Sequence, residues 1–253
     1  MGSQGADRRQ PKYQRIVAEL KAAIEAGEYG PGDRLPGEND LMATYAVARM
    51  TARQALGVLQ SEGLVEARKG SGVFVREFRP IRRRGVQRLS STLWGMGQSV
   101  WAADTEGRDL VVDLISVTEE AAPDGIARVL GIPEGAPVCV RRRRFVLDGR
   151  PVLLATSYLD AELVAGTTIT QADTGPGGIY ARLDEVGSKP VRFREEIRSR
   201  MPSAEESDRL GLALGTPVVL ICRTAFAERG RVVEVNEMVL DASAYILEYD
   251  FDA

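Results

Sequence analysis

The sequence predicts an α+β protein with a small N-terminal domain and a larger C-terminal domain built on an antiparallel sheet. Two observations support this fold class. Apolar residues recur at helical spacing in three short segments before residue 63, and two strand-like runs joined by a glycine-containing turn follow them. Farther along the chain, a pattern of one helix followed by two strands occurs twice.

The composition limits the chemistry that the protein can perform. The chain has 253 residues, of which 44% are hydrophobic, and this suffices for two ordinary domains. It contains no histidine, which excludes Ser-His-Asp and Cys-His catalysis and leaves no expectation of a metal or a cofactor. Cys139 and Cys222 lie in apolar, strand-like runs, so we expect both thiols to be reduced and buried.

The charge is distributed unevenly although the net charge is only −3. Residues 1–88 carry 16 Lys and Arg against 10 Asp and Glu, whereas residues 89–253 carry 17 against 26. A positive N-terminal part on an acidic body indicates a protein that places one end on a polyanion.

Each element of the N-terminal domain has its own signal. A helix is predicted from Tyr13 to Gly27, a short second helix opens after Pro36, and a third covers about residues 49–62. Strands at residues 64–68 and 73–76 then enclose a turn, with the sequence Lys69-Gly70-Ser71-Gly72.

This order of elements is that of a winged helix-turn-helix, in which the third helix presents its polar face to the major groove. Arg49 and Arg53 lie four residues apart on that face, and Thr51 adds a hydroxyl group between them. Arginine can bind guanine with two hydrogen bonds or contact phosphate. The alternatives are that these arginines are ordinary solvated charges and that the glycine turn is an ordinary hairpin.

The domain boundaries follow from composition. Residues 1–10 are expected to be a disordered lead, residues 11–76 the winged helix, residues 77–88 a basic linker, and residues 89–253 the body. No apolar run approaches the roughly 20 residues of a membrane-spanning helix, and we expect a cytoplasmic protein.

The body contains an internal duplication. Residues 130–159 align with residues 210–240 at an offset of 80 that becomes 81 after one insertion. In each copy a proline-capped helix leads to a Gly-x-Pro turn and a β-hairpin, so the two copies are predicted to form one sheet with a pseudo-twofold axis.

The duplication also selects one member of the run Arg141-Arg142-Arg143-Arg144. Arg143 aligns with Arg223, and an arginine held against a sheet is suited to bind a carboxylate or a phosphate. Since side chains alternate along a strand, a pair from this run is expected to face a pocket. The alternative is a solvent-facing strip, or a strip of salt bridges at a dimer interface.

The N-terminal domain resembles the DNA-binding domain of the GntR family of bacterial regulators. The resemblance implies that Arg49, Thr51, Arg53 and Gly70 contact operator DNA, and that Lys69, Ser71 and Gly72 complete the wing. The family often has arginine at Asn39, which we count among the DNA-binding residues, and has serine or threonine at Ala48. The matching segments are Tyr13, Ile16, Gly27, Pro31–Pro36, Glu38, Leu41, Val47, Arg49–Thr51, Arg53, Ala55–Leu56, Leu59, Glu62–Leu64 and Gly70–Val75.

The body resembles the effector-binding UTRA domain of the HutC branch, which has a chorismate-lyase-like fold. The resemblance rests on residues 148–151, 157–159, 179–183 and 233–234. It implies effector-binding roles for Glu234, Ser91, Thr92 and Tyr180. Asn236 follows Glu234 on the same strand face, and the predicted effector site also includes Arg143 and Arg223, which the duplication selects.

This chain departs from the family pattern at three positions of the sugar-phosphate site. Gly178 replaces a serine, Phe145 replaces an arginine and Leu240 replaces a tyrosine. We therefore expect a less charged or more apolar effector, such as a carboxylate, in place of a phosphorylated sugar.

Together these features predict a homodimeric repressor that binds an inverted-repeat operator and releases it when a small molecule binds the body. One alternative is a ligand-independent DNA-binding protein whose body only dimerises. The other is an enzyme of lyase type, which the absence of histidine disfavours.

Overall fold

The computed structural model describes residues 11–68, 70–77, 80–85, 89, 90, 92, 94, 96, 100, 101, 104, 105 and 107–251. The chain divides into two compact units, which are residues 1–78 with 213–216, here called the N-terminal unit, and residues 79–212 with 217–253, the C-terminal unit. In this described part, no helix is both long and apolar enough to cross a bilayer. The same residues contain no group of three or more His, Cys, Asp or Glu side chains that could hold a metal ion.

The N-terminal unit has the predicted elements. They are α1 (Lys12–Glu25), α2 (Glu38–Tyr45), α3 (Arg49–Ser61), and the antiparallel strands β1 (Val65–Arg68) and β2 (Gly72–Val75). Its core is formed by apolar residues of every element, including Ile16, Leu20, Leu41, Ala52, Leu56, Leu59, Val65 and Val75.

The turn between α2 and α3 sets the direction of the third helix. α2 ends at Ala46, which adopts the left-handed conformation with φ of 48°, and α3 begins two residues after Val47. Ala48 is the N-cap of α3 and provides no side-chain hydrogen bond. The missing cap at this position costs about 1 kcal/mol relative to serine or threonine.

The C-terminal unit is built on an antiparallel sheet. Among the described residues, six strands pair in the order β4-β5-β6-β9-β8-β7. The strands are β4 (Leu110–Ala121), β5 (Pro137–Leu147), β6 (Arg150–Asp160), β7 (Arg192–Arg200), β8 (Val218–Phe226) and β9 (Val232–Asp241). The helices are α4 (Asp124–Leu130), α5 (Ala161–Val164), α6 (Gly178–Glu185) and α7 (Ala204–Leu210).

The duplication predicted from the sequence is visible in this topology. The strand order is symmetric about the β6–β9 pair, so that β4, α4, β5 and β6 correspond to β7, α7, β8 and β9. The helices α4 and α7 pack on one face of the sheet, and α6 packs on the other. The prediction of an α+β body with one antiparallel sheet is confirmed.

Two expectations differ from the structure. Within the predicted linker, residues 81–84 form a strand, β3 (Ile81–Arg84), which pairs in parallel with β10 (Tyr245–Glu248). The sequence predicts a linker partly ordered against DNA or the body, but it indicates no strand here, because the partner strand lies more than 160 residues away. Both cysteines are free, but only Cys139 is buried, whereas Cys222 is half-buried.

Candidate DNA interface and effector cavity

The start of α3 presents polar side chains to solvent. Arg49 and Arg53 have side chains that are 59% and 60% exposed, and Thr51 is half-buried between them. The opposite side of the helix is fixed in the core by Ala52 and Ala55. The helix therefore holds both guanidinium groups on its free face, as base or phosphate contacts require.

The structure adds one residue, Glu38, to this surface. Its carboxylate lies 2.7 Å from Arg53 Nε and 3.6 Å from Arg49 Nε. Arg49 also donates a hydrogen bond of 3.1 Å from Nη2 to Asn39 Oδ1. The hydrogen bond from Arg53 lowers the pKa of Glu38, and the same bond raises the pKa of Arg53. Glu38 was a family match in the sequence but not a predicted site residue, because its partners lie on another helix.

The wing turn needs glycine for its backbone conformation. Gly70 and Gly72 have φ of 76° and 121°, where residues with a Cβ are strained. Ser71 is exposed at the turn, and its backbone N–H donates to Arg68 O at 2.9 Å. Lys69, also predicted to contact DNA, lies outside the described residues.

A cavity of about 360 Å³ lies on the sheet face that carries α6. It brings together five of the predicted effector residues, from β5, α6, β8 and β9. These are Arg143, Tyr180, Arg223, Glu234 and Asn236. Of the other two, Thr92 is exposed and lies outside this lining, and Ser91 lies outside the described residues.

The arginine run of β5 alternates between the two faces of the sheet. Arg141 and Arg143 line the cavity. On the other face, Arg142 forms an ion pair with Glu120 and Arg144 forms one with Asp113, with closest distances of 2.7 Å in both cases. The strand geometry therefore assigns only two of the four arginines to the cavity.

The two cavity arginines of β5 have different partners. Arg141 donates hydrogen bonds to the backbone carbonyls of Ile169, Gln171 and Ala172, so it supports the cavity wall. Arg143 donates to Ser157 Oγ. Burial lowers the pKa of Arg143 to about 10, which still leaves the side chain charged at neutral pH.

The polar floor of the cavity continues across β8 and β9. Tyr180 donates a 2.8 Å hydrogen bond to Glu234 Oε2. The guanidinium of Arg223 lies 5.5 Å from the centre of the Tyr180 ring and 6.0 Å from that of Trp101. Burial acts to lower the pKa of Arg223, but the nearby Tyr180 and Glu234 outweigh it and raise the pKa.

The polar floor corresponds to one of two rows of residues that the symmetry of the sheet relates. One row across the strands consists of Arg141, Ser157, Asn236 and Arg223. The pseudo-twofold axis maps that row onto a second one, which consists of Ile221, Met238, Ala155 and Arg143. The first row is polar throughout and the second is apolar except for its arginine.

Comparison with known families agrees with both units. Residues 12–75 match the bacterial regulatory proteins of the gntR family, and residues 105–246 match the UTRA domain. The chain belongs to the GntR family. It is a transcriptional regulator with a helix-turn-helix DNA-binding domain and a UTRA effector domain.

Full-length relatives of this GntR regulator support the same assignment. An HTH-type transcriptional regulator of Streptomyces coelicolor is 34% identical over 249 residues, which cover 95% of this chain and 93% of the relative. The HTH-type transcriptional repressor NagR of Bacillus subtilis is 29% identical, over 96% of this chain and 95% of NagR. The crystal structure of PhnF from Mycobacterium smegmatis has a TM-score of 0.59 and 28% identity, and covers 94% of this chain and 99% of PhnF.

Proposed function

We propose that this GntR regulator is a homodimeric repressor whose operator affinity is lowered by a small molecule bound in the C-terminal cavity. The observation that carries the proposal is the cavity itself, because its buried arginines and Asn236 are more polar than packing of the sheet requires. The repressor name printed for the relative NagR supports the sign of control. The absence of histidine from the chain supports a sensor over a lyase.

The DNA contacts are proposed to come from α3 and the wing. Arg49, Arg53 and Thr51 are suited to the major groove, with Asn39 and Glu38 holding Arg49 and Arg53 in position. The glycine turn with Ser71, together with Lys69, is suited to the adjacent phosphates.

The dimer is proposed because a single winged helix buries too little DNA surface for specific binding. Two copies that bind half-sites about 34 Å apart provide that surface on an inverted repeat. The proposed site of action is the cytoplasm, since the DNA target of a bacterial regulator lies there.

The DNA part of the proposal is tested by selection of bound DNA from a random library, followed by variants measured on the best duplex. Arg49→Ala and Arg53→Ala are each expected to weaken binding by about tenfold. The matched control is Arg15→Ala on α1, which removes an arginine whose side chain is 73% exposed and is expected to leave binding unchanged. Equal binding by all three variants would contradict the proposed interface.

The effector part is tested by operator binding in the presence of ligands that stabilise the protein in a thermal-shift screen. A ligand can lower DNA affinity only by the difference in its affinity for the free and DNA-bound forms. Release of the duplex as the ligand concentration rises is expected. A ligand that binds the cavity and leaves DNA affinity unchanged would support the alternative in which the body only dimerises.

A further inference from the structure

The cavity in the UTRA domain contains buried polar atoms that no described residue satisfies. Arg223 is 2% exposed, and its Nε and Nη1 atoms have no hydrogen-bond partner among the described residues. The same holds for Asn236 Oδ1 and for Arg143 Nε, which line the same cavity. Since an unsatisfied buried group costs free energy, these atoms are available to the polar part of a ligand.

The charges that line the cavity do not balance. Three arginines, Arg141, Arg143 and Arg223, face two carboxylates, Asp173 and Glu234. Glu195 lies beside Arg223 on the neighbouring strand but forms its own ion pair with Arg83. Glu195 also raises the pKa of Arg223 from outside the lining. The lining itself still carries one more positive than negative charge, so a ligand with a single negative charge balances it.

The N-terminus of α6 adds to the positive potential at the same place. Gly177 and Gly178, which begin this eight-residue helix, line the cavity together with Arg223. The dipole of a helix favours a negative charge at its N-terminus. Arg141 is already engaged by three backbone carbonyls, so Arg143 and Arg223 are the arginines available to a ligand.

Most of the remaining wall of the cavity is apolar, although Thr174 adds a hydroxyl group. The apolar part includes Val100, Trp101, Val112, Ile115, Phe145 and Ile179. Apart from the indole N–H of Trp101, these side chains offer no hydrogen-bond partner to the hydroxyl groups of a sugar, and a hydroxyl buried against them would lose its hydrogen bonds to water. They favour a ligand whose body is itself apolar.

From these observations we infer that the effector is a small monoanion with an apolar body. Its anionic group lies between Arg143 and Arg223, and its body packs against Trp101 and Phe145. This inference rests on the proposed function, in which the cavity is the effector site. It goes beyond that function because it names the chemistry of the ligand. A measurement of ligand binding tests this chemistry without DNA.

The test uses four probes that vary charge and apolar body separately, titrated into the full-length protein by calorimetry. Phenylacetate has both features, phenylacetamide lacks the charge, acetate lacks the body, and benzyl phosphate carries a second charge. Phenylacetate is expected to bind about tenfold more tightly than phenylacetamide, because hydrogen bonds to charged groups are the stronger ones. It is also expected to bind more tightly than acetate and benzyl phosphate.

Three results would overturn the inference. Equal binding of phenylacetate and phenylacetamide would show that no anion site exists. Tighter binding of benzyl phosphate would show that the site is built for a dianion. No binding of phenylacetate at millimolar concentration would show that the cavity does not accept this class of ligand.

Variants locate the anion. Arg223→Met and Arg143→Met are each expected to weaken phenylacetate binding by about tenfold and to leave phenylacetamide binding unchanged. Arg142→Met is the matched control, since Arg142 is adjacent to Arg143 on β5 but forms its ion pair on the opposite face. Arg223→Gln also removes the charge but keeps a hydrogen-bond donor, and it serves if Arg223→Met does not fold. An unchanged phenylacetate affinity in the Arg223 variants would contradict the assignment.

The two proposals fail in different ways. Loss of selectivity among the four probes refutes the ligand class and leaves effector control open to the DNA-release measurement. A selective ligand that does not change operator affinity refutes effector control and leaves the ligand class intact.

Discussion

Arg83 is a fully buried cation in β3 of the C-terminal unit. Its side chain is 0% exposed, and it forms two hydrogen bonds with Glu195, whose side chain is 9% exposed; the longer of the two is 2.8 Å. Replacing Arg83 with methionine leaves Glu195 as a buried charge without this partner. Breaking a buried pair from one side costs about 3–5 kcal/mol. For a domain of this size, the cost corresponds to a decrease in melting temperature on the order of 10 °C.

The neighbouring residue provides a matched control. Arg82 lies on the same strand and pairs with Glu248, but these side chains are 50% and 37% exposed. A surface pair contributes about 0–1 kcal/mol, so Arg82→Met is expected to change stability little. The double variant Arg83→Met with Glu195→Met is expected to recover most of the loss, because neither member of the pair is then left buried without the other.

Tryptophan fluorescence measures this effect in the intact protein. The chain has two tryptophans, Trp94 and Trp101, and both lie in the C-terminal unit, so denaturant unfolding followed by fluorescence reports on that unit. Three midpoints are compared, for the wild type, Arg83→Met and Arg82→Met. If Arg83→Met costs no more than Arg82→Met, the assignment of a stabilising buried pair is refuted.

Three further outcomes are expected. Glu38→Gln removes the carboxylate that holds Arg49 and Arg53. In a duplex-binding assay, this variant should raise the affinity for random DNA and lower the ratio of specific to random binding. An unchanged ratio would exclude the positioning role. Gly72→Ala should destabilise the N-terminal unit by about 1–3 kcal/mol, because φ at this residue is 121°. Gly57→Ala within α3 should stabilise the unit by about 0.5–1 kcal/mol, because an added Cβ there meets nothing within 4 Å. Circular dichroism during thermal unfolding distinguishes the two signs. Arg200 lowers the pKa of Glu206 to about 2. The stability that this group contributes is therefore complete above the unfolded pKa of about 4.3 and is lost as the pH falls towards 2. Glu206→Gln should flatten the dependence of the unfolding midpoint on pH between these values, and an unchanged slope would count against the pair.

Much of the fold could be predicted because its signals are local. Helical spacing and glycine turns identified every element of the N-terminal unit, and the repeated Gly-x-Pro and hairpin segments identified the paired halves of the sheet. The pairing of β3 with β10 could not be predicted in this way. It joins the two ends of the C-terminal unit, and its stabilising ion pair joins Arg83 to Glu195, 112 residues away.

The effector cavity shows why a repeat predicts a site only in part. Alignment of the two copies singled out Arg143 and Arg223, and both line the cavity. The copies alone, however, predict two equivalent sites related by the pseudo-twofold axis. Only one of the two rows is polar along its whole length. Ser157 and Asn236 belong to this row, and Met238 and Ala155 occupy the corresponding positions of the other row.

That asymmetry has a physical consequence for binding. A polar group on the buried face of a sheet is tolerated only where hydrogen bonds satisfy it, so one polar row and one apolar row give a cavity with two chemically different ends. Arg143 belongs to the apolar row and Arg223 to the polar row, so a ligand that contacts both has to lie across the two rows. Asn236→Ala places in the polar row the residue type found at the matching position of the apolar row. It removes the polar side chain paired with Arg223 across the strands and should reduce the preference for charged over neutral probes. If the preference remained, Asn236 would have no part in holding Arg223 for the anion.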